Sequence, residues 1–401
     1  MPCRARKRVS GLNRKNGEVY RDLTSRSNHV GPPWEKAGKA PKWYPSHVGA
    51  HALNYLQLTT VHVGARAASI TPTVHFLSAL TLEPVQRLIA DEMHAVDNVI
   101  RARLHSDVAL VKQVSEHIIN GGGKRLRPAL VLLAAGACGY SGSAHYPLAA
   151  VIEFIHTATL LHDDVVDDSD LRRGRATANS LFGNAASVLV GDFLYSRAFQ
   201  IMVELGNLRI MEVLAHATNT IAEGEVLQLL NCHDPQVSEE DYLHVIRCKT
   251  AKLFEAAGKV GAIISQASPE VEEGLARYGM YLGTAFQLID DVLDYSGDHG
   301  QTGKNLGDDL GEGKPTLPLI YAMRRGDPEQ AAVIRAAIEQ GGLEEFQPVL
   351  NAIRDCGALE YARKQAVAES QRAMEALSAI PHSSYRDSLL QLAAFAVSRT
   401  Y

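Results

Sequence analysis

The chain has 401 residues, 46% of them hydrophobic and 6% aromatic, enough for one large core or two smaller ones. Its net charge of −5 divides unevenly: residues 1–74 carry 12 Lys and Arg against 3 Asp and Glu, and the remainder 28 against 42. An acidic body argues against nucleic acid as the main partner. The longest apolar run, residues 128–140, falls short of the roughly 20 needed to span a bilayer, so no transmembrane segment is expected.

Residues 1–74 differ from the remainder of the chain. They hold 6 of the 16 prolines and both tryptophans, Trp34 and Trp43, without a sustained helical period or a secretory apolar stretch. An Arg-rich, acid-poor start is compatible with an organelle transit peptide. The expectation is either a disordered, solvated extension or a non-native one, the latter with translation beginning near Val74. The five cysteines (Cys3, Cys138, Cys232, Cys248 and Cys356) form no CxxC pair and read as reduced thiols of a cytoplasmic protein.

From about Thr81 the apolar residues recur at three- and four-residue steps. LEPVQRLIADEMHAVDNVIRARL, YPLAAVIEFIHTATLLHDDVVDD, GDFLYSRAFQIMVEL and VLAHATNTIAEGEVLQLL all carry that period, and alternating β-type runs are nearly absent. Gly121–Gly123, Gly297–Gly313 and Gly341–Gly342 interrupt it. The pattern predicts an all-α domain over residues 75–401, ten or more helices packed as a single bundle.

GGGKRLRP, residues 121–128, joins a glycine loop to Lys124, Arg125 and Arg127, with Pro128 suited to the first turn of a helix. Backbone N–H groups at a helix start, together with a guanidinium fork, make an anion site. HDDVVDDSDLRRGR, residues 162–175, continues an apolar helix, which sets Asp163 and Asp167 one turn apart on one face. Like charges at that spacing destabilise a helix unless a cation lies between them. Mg²⁺ is usually held in this way, by one or two carboxylates completed by substrate phosphate. Arg172 and Arg173 follow, and Lys249–Thr250 lies on a later helix.

DDxxD then recurs in FQLIDDVLDYSGD as Asp290, Asp291 and Asp294, about 127 residues after the first. One acidic helix end is commonplace on a solvated surface. Two with the same spacing, each after an apolar helix, point to helices facing across a shared metal cluster. GKNLGDDLGEGKPTLP, residues 303–318, adds Lys304 and Lys314. That many cations beside two carboxylate clusters imply a diphosphate. A metal phosphohydrolase built on the His162–Asp163 pair is the rival reading, but neighbours on a helix point about 100° apart, and it leaves the second DDxxD unexplained. A non-catalytic subunit would be expected to lack one motif, and a terpene cyclase has no use for a second diphosphate site.

Taken in order, GGGKRLRP, LLHDDVVDDSDLRRG, GDFLYSRAF, CKTAKLFEAA, FQLIDDVLD and GKNLGDDLGEGKPTLP resemble the trans-polyprenyl diphosphate synthases over about residues 80–401. Within that family the chain is most similar to the bacterial octaprenyl-forming members. The resemblance implies an isoprenoid synthase fold, a homodimer, and Mg²⁺ held by Asp163, Asp167 and Asp290. It implies that Lys249, Thr250, Gln287 and Arg172 bind the allylic diphosphate, with Lys304 also at the substrate. Lys124, Arg127, His156 and Arg173 match positions that hold isopentenyl diphosphate. The implied reaction adds isopentenyl units head to tail onto an allylic starter, farnesyl diphosphate, to give an all-trans octaprenyl diphosphate for a quinone side chain. Ile155, Ala158 and Thr159, one and two turns before Asp163, would form the upper wall of the product tunnel. Related short-chain synthases carry an aromatic floor there, and the small Ala158 leaves the way open.

Overall fold

Each of those apolar runs is helical in the computed structural model, which describes residues 81–172, 174–296 and 306–399. Residues 1–80, Arg173 and Lys304 lie outside the described residues. Helices α1 (Glu83–Leu88) and α2 (Ala90–Arg103) divide one apolar pattern at Ile89, whose φ of −108° interrupts the ladder. Helix α3 (Ala109–Asn120) runs into the glycine loop. Arg125 then takes a left-handed φ of 49° and opens α4 (Leu126–Ala137), with Pro128 in its first turn, where no N–H partner is needed. Leu130 through Ala135 are all fully buried. A helix that is apolar all round belongs at the centre of a bundle.

Helix α5 (His145–Val166) ends at Asp167, so the DDxxD segment forms its last turn. A two-residue antiparallel pair, β1 (Leu171–Arg172) with β2 (Arg175–Ala176), departs from a purely helical reading. Elements this short leave no alternating signal in a sequence. Three helices come next: α6 (Ala178–Phe182), capped by the Thr177 side chain, α7 (Asn184–Leu205) and α8 (Leu208–Asn231). Ser238 and Asp241 close a capping box at the start of α9 (Glu239–Ile246). A π-helical turn, Arg247–Ala251, separates α9 from α10 (Lys252–Ile264).

Helix α11 (Pro269–Ser296) carries the second DDxxD in its last two turns. A Cβ added at Gly283 of this helix would lie 2.6 Å from the Cα of Ala251, so only glycine lets α11 touch the π turn. The remaining helices among the described residues are α12 (Asp308–Gly311), α13 (Leu317–Arg325), α14 (Pro328–Gln340), α15 (Phe346–Asp355), α16 (Ala358–Ala376) and α17 (Ser384–Ser398).

The main core joins α1 through α5, α7, α8, α10, α11 and α17, with Leu133, Ile152 and Phe254 buried inside it. Truncating one such Leu or Ile to Ala costs about 2–5 kcal/mol. Smaller cores tie α12–α16 to the end of α11. Both acidic helix ends are thereby mounted on long helices anchored in the core, α5 and α11. Among the described residues, no helix is long and apolar enough to cross a membrane.

Candidate active site

Each acidic motif faces a cation from another element. Asp163 lies 3.7 Å from Lys249 Nζ, and Lys249 in turn lies 2.5 Å from Glu225 of α8. Asp167 lies 3.1 Å from Lys314 Nζ, which also pairs with Glu312. Burial pushes the Asp163 carboxyl upward against the pull of Lys249, and pushes Glu225 up to about 7. For Lys249, burial works to lower its affinity for a proton. Asp163 and Glu225 outweigh it, so the ammonium stays charged.

The three carboxylates of the second motif are directed to three different partners. Asp290 Oδ1 accepts from Arg399 at 2.6 Å, and a second nitrogen of that guanidinium donates to the Phe286 carbonyl. Asp291 is buried and accepts from Tyr242 and, at 2.8 Å, from the Gln287 amide. The carbonyl of that amide accepts from Thr250 at 3.1 Å. Asp294 accepts from the Asp309 N–H at 3.4 Å, and its backbone carbonyl accepts from Gly307.

Two bridges therefore connect the motifs. One runs from Asp163 through Lys249 and its neighbour Thr250 to Gln287 and Asp291. The other runs from Asp167 through Lys314, whose N–H donates to the Asp309 carbonyl, to Asp294. Residues more than a hundred positions apart thus surround one polar region, and its cations would meet a polyanion entering between them.

The basic loop lies against the same core. The Arg127 guanidinium donates to His156 at 3.2 Å and stacks 4.3 Å above the Phe254 ring, while Lys124 Nζ sits 5.6 Å above the Phe395 ring. Arg172 turns to Asp164 and donates from Nε at 2.7 Å. Arg172 and His156 also border a cavity of about 100 Å³, with apolar walls from Leu104, Phe154 and Leu160. Ile155 and Ala158 are fully buried in the main core. Thr159 is half-buried and donates to the His156 carbonyl at 2.7 Å.

Residues 108–353 match the polyprenyl synthetase family. The chain belongs to that family. It is 57% identical to the octaprenyl diphosphate synthase of Escherichia coli over 321 residues, 80% of this chain and 99% of that one. It is 48% identical to an all-trans-nonaprenyl-diphosphate synthase (geranyl-diphosphate specific) of Rhodobacter capsulatus, over 78% of this chain and 96% of that one. Among solved structures it resembles the Caulobacter crescentus polyprenyl synthase complexed with calcium and isoprenyl diphosphate. That match has a TM-score of 0.78 and 44% identity, and covers 81% of this chain and 99% of that one.

For a polyprenyl synthetase, a metal is the expected companion of the diphosphate. Among the described residues, no three His, Cys, Asp or Glu side chains cluster closely enough to enclose an ion by themselves. Asp163, Asp167 and Asp290 instead present hard oxygen donors, each beside a cation that an incoming ion would displace or join. This fits Mg²⁺, which takes one or two carboxylates and leaves the rest of its sphere to phosphate and water.

Reading from sequence did not single out Glu225, Arg399 or Tyr242, and it named Asp291 only as a member of the second motif. Glu225 follows Gly224 in an amphipathic helix, a glycine whose close contact with the π turn cannot be read from spacing. Arg399 stands at the end of an apolar helix, where a basic residue normally just caps the dipole.

Proposed function

We propose that the chain condenses isopentenyl diphosphate head to tail onto farnesyl diphosphate and extends it to all-trans octaprenyl diphosphate, the precursor of a quinone side chain. The double bridge from Asp163 and Asp167 to Asp291 and Asp294 is the observation that carries this reading. It makes the two aspartate motifs one site, with Lys249 and Lys314 between them. Family membership supports the chemistry, and the Escherichia coli relative supports the chain length.

Asp163, Asp167 and Asp290 would hold Mg²⁺. Bound there, it would supply positive charge against the diphosphate leaving group. Lys249, Thr250, Gln287 and Arg172 orient the allylic diphosphate, and Lys304, outside the described residues, is assigned to substrate binding. Lys124, Arg127, His156 and Arg173 hold isopentenyl diphosphate with its double bond toward the allylic carbon. As the allylic C–O bond ionises, fixed cations meet the charge that develops on the diphosphate. The isopentenyl double bond attacks the allylic cation, and the proton lost afterwards passes to the released diphosphate. The apolar surroundings of α5 keep out water, which would quench the cation.

The synthase body is assigned to residues 75–401, with residues 1–74 dispensable. A homodimer is supported by the exposed apolar side chains Leu189, Phe199 and Val203 of α7 and Val226, Leu229 and Leu230 of α8, which a second copy would cover. The cytoplasm is the proposed compartment. Purified protein given farnesyl and isopentenyl diphosphates with Mg²⁺ should yield octaprenyl diphosphate, identified by chromatography after dephosphorylation. Release of phosphate without chain growth would refute the assignment.

A further inference from the structure

Lys249 is held more closely by Glu225 than by the aspartate of the first motif. Its ammonium is 2.5 Å from Glu225 Oε2 and 3.7 Å from Asp163 Oδ2. The arrangement depends on local backbone. The π turn Arg247–Ala251 presses Lys249 against α8, and a Cβ at Gly224 would fall 2.7 Å from the Lys249 backbone nitrogen. Glycine followed by glutamate thus lets the two backbones touch and supplies a carboxylate at the point of contact. All three side chains are mostly covered, Lys249 being 17% exposed, Asp163 16% and Glu225 29%. Water therefore screens the pairing less than it would on an open surface.

We propose that Glu225 is a positioning residue of the condensation site: it holds the Lys249 ammonium off Asp163, leaving that carboxylate open to a divalent cation while Lys249 stays directed at the diphosphate. The inference rests on the functional reading above and deepens it. A lysine between two carboxylates takes whichever geometry the nearer one sets. Without Glu225, Asp163 becomes its closest anion, and the two close into a direct ion pair. The ion pair occupies the metal ligand and withdraws the ammonium from the substrate. Glu225 touches neither reactant in this scheme and acts only through Lys249.

Calorimetric titration of the full chain with Mn²⁺ and inorganic pyrophosphate tests this in wild type, Glu225→Ala, Lys249→Ala and the double variant. Couplings between contacting residues typically alter binding by a few-fold to a hundredfold, so Glu225→Ala should weaken binding by about tenfold. In the Lys249→Ala background the same change should have less than a twofold effect. Steady-state kinetics should show the allylic KM raised about tenfold in Glu225→Ala, with the isopentenyl KM within twofold of wild type. Glu225→Gln keeps an acceptor for the ammonium and should fall between the two. It also carries the cycle if the alanine variant does not fold. Additive losses in the cycle, or equal rises in both KM values, overturn the inference alone. A wild-type chain that fails to condense the two diphosphates overturns the functional reading and the inference with it.

Discussion

Arg399 lays its guanidinium 2.6 Å from Asp290 Oδ1 and 3.6 Å above the Phe286 ring, so the last described residue is fastened to the second aspartate motif. Arg399 is almost wholly buried at 3% exposure, whereas Asp290 is 42% exposed. The contact thus holds the end of α17 in place and neutralises the carboxylate that a metal would use. Arg399→Gln should have two opposite effects. A buried cation–π contact is worth about 2 kcal/mol, so the metal-free melting temperature should drop by a few degrees. Mn²⁺ binding, followed by calorimetry, should tighten several-fold once Asp290 is released. Weaker Mn²⁺ binding in a folded variant would mean that Arg399 orients Asp290 for the metal instead of competing with it.

Removing a metal ligand should cost far more activity than stability. Asp163→Ala and Asp290→Ala should each lower turnover by several orders of magnitude, because charge stabilisation by a metal is worth several kcal/mol. Burial already works against the charged form of Asp163, so its loss should leave the metal-free melting temperature unchanged or raised. Near-normal turnover of either variant with Mg²⁺ present would refute the two-cluster site.

How much of this was legible in the sequence differs from element to element. The helices of the core and both acidic helix ends follow from periodicity, because burying one face of a helix requires that spacing. The π turn does not, since a single i to i+5 turn adds one residue without altering the apolar period on either side. Lys249 could be matched to a family position, but its partner Glu225 could not, because the two meet only where Gly224 lets the backbones touch. Likewise, the three second-motif aspartates look alike in sequence. Only tertiary contacts send Asp290 to Arg399, Asp291 to Tyr242 and Gln287, and Asp294 to the loop at Asp309.

The basic residues should separate by substrate. Lys124→Ala and Arg127→Ala should raise mainly the KM for isopentenyl diphosphate, and Lys249→Ala mainly that for the allylic substrate. Arg127 binds His156 and stacks on Phe254, whereas Lys249 lies between Asp163 and Glu225. Varying each substrate in turn at saturating levels of the other decides it, and equal effects on both would defeat the division.

Stability of the metal-free chain should decline as pH rises toward neutrality. Burial and the nearby Asp309 push the Asp291 carboxyl from 3.8 up to about 8, against the bonds donated by Tyr242 and Gln287. Between those values the folded chain binds more protons than the unfolded one, so the folded state loses stability as pH increases. Glu225, pushed up to about 7, acts in the same direction. Asp291→Asn removes the larger contribution. Its melting temperature should therefore fall less between about pH 5 and about pH 8 than that of wild type, with a residual slope from Glu225. Parallel slopes would show that Asp291 does not titrate in this range.

Product length offers the sharpest test of how the growing chain leaves the site. At about 100° per residue, Thr159 stands about 40° from Asp163 around α5, Ile155 about 80° and Ala158 about 140°. Thr159 and Ile155 thus share the flank of the metal-facing side, and Ala158 lies further round, fully buried in the main core. A chain threading down α5 meets Thr159 first, and it reaches Ala158 only if the neighbouring helices part around it. Ala158→Phe should shorten the main product to a short prenyl diphosphate while condensation continues. Overpacking that buried position should also cost about 1–3 kcal/mol of stability. Thr159→Phe, nearer Asp163 and half-buried, should shorten the product at a smaller cost in melting temperature. Chromatography of dephosphorylated products reads both outcomes. Unchanged octaprenyl product from a folded, active Ala158→Phe would show that Ala158 packs the helices together and does not face the tunnel. The same result from Thr159→Phe would take the product path off this side of α5 altogether.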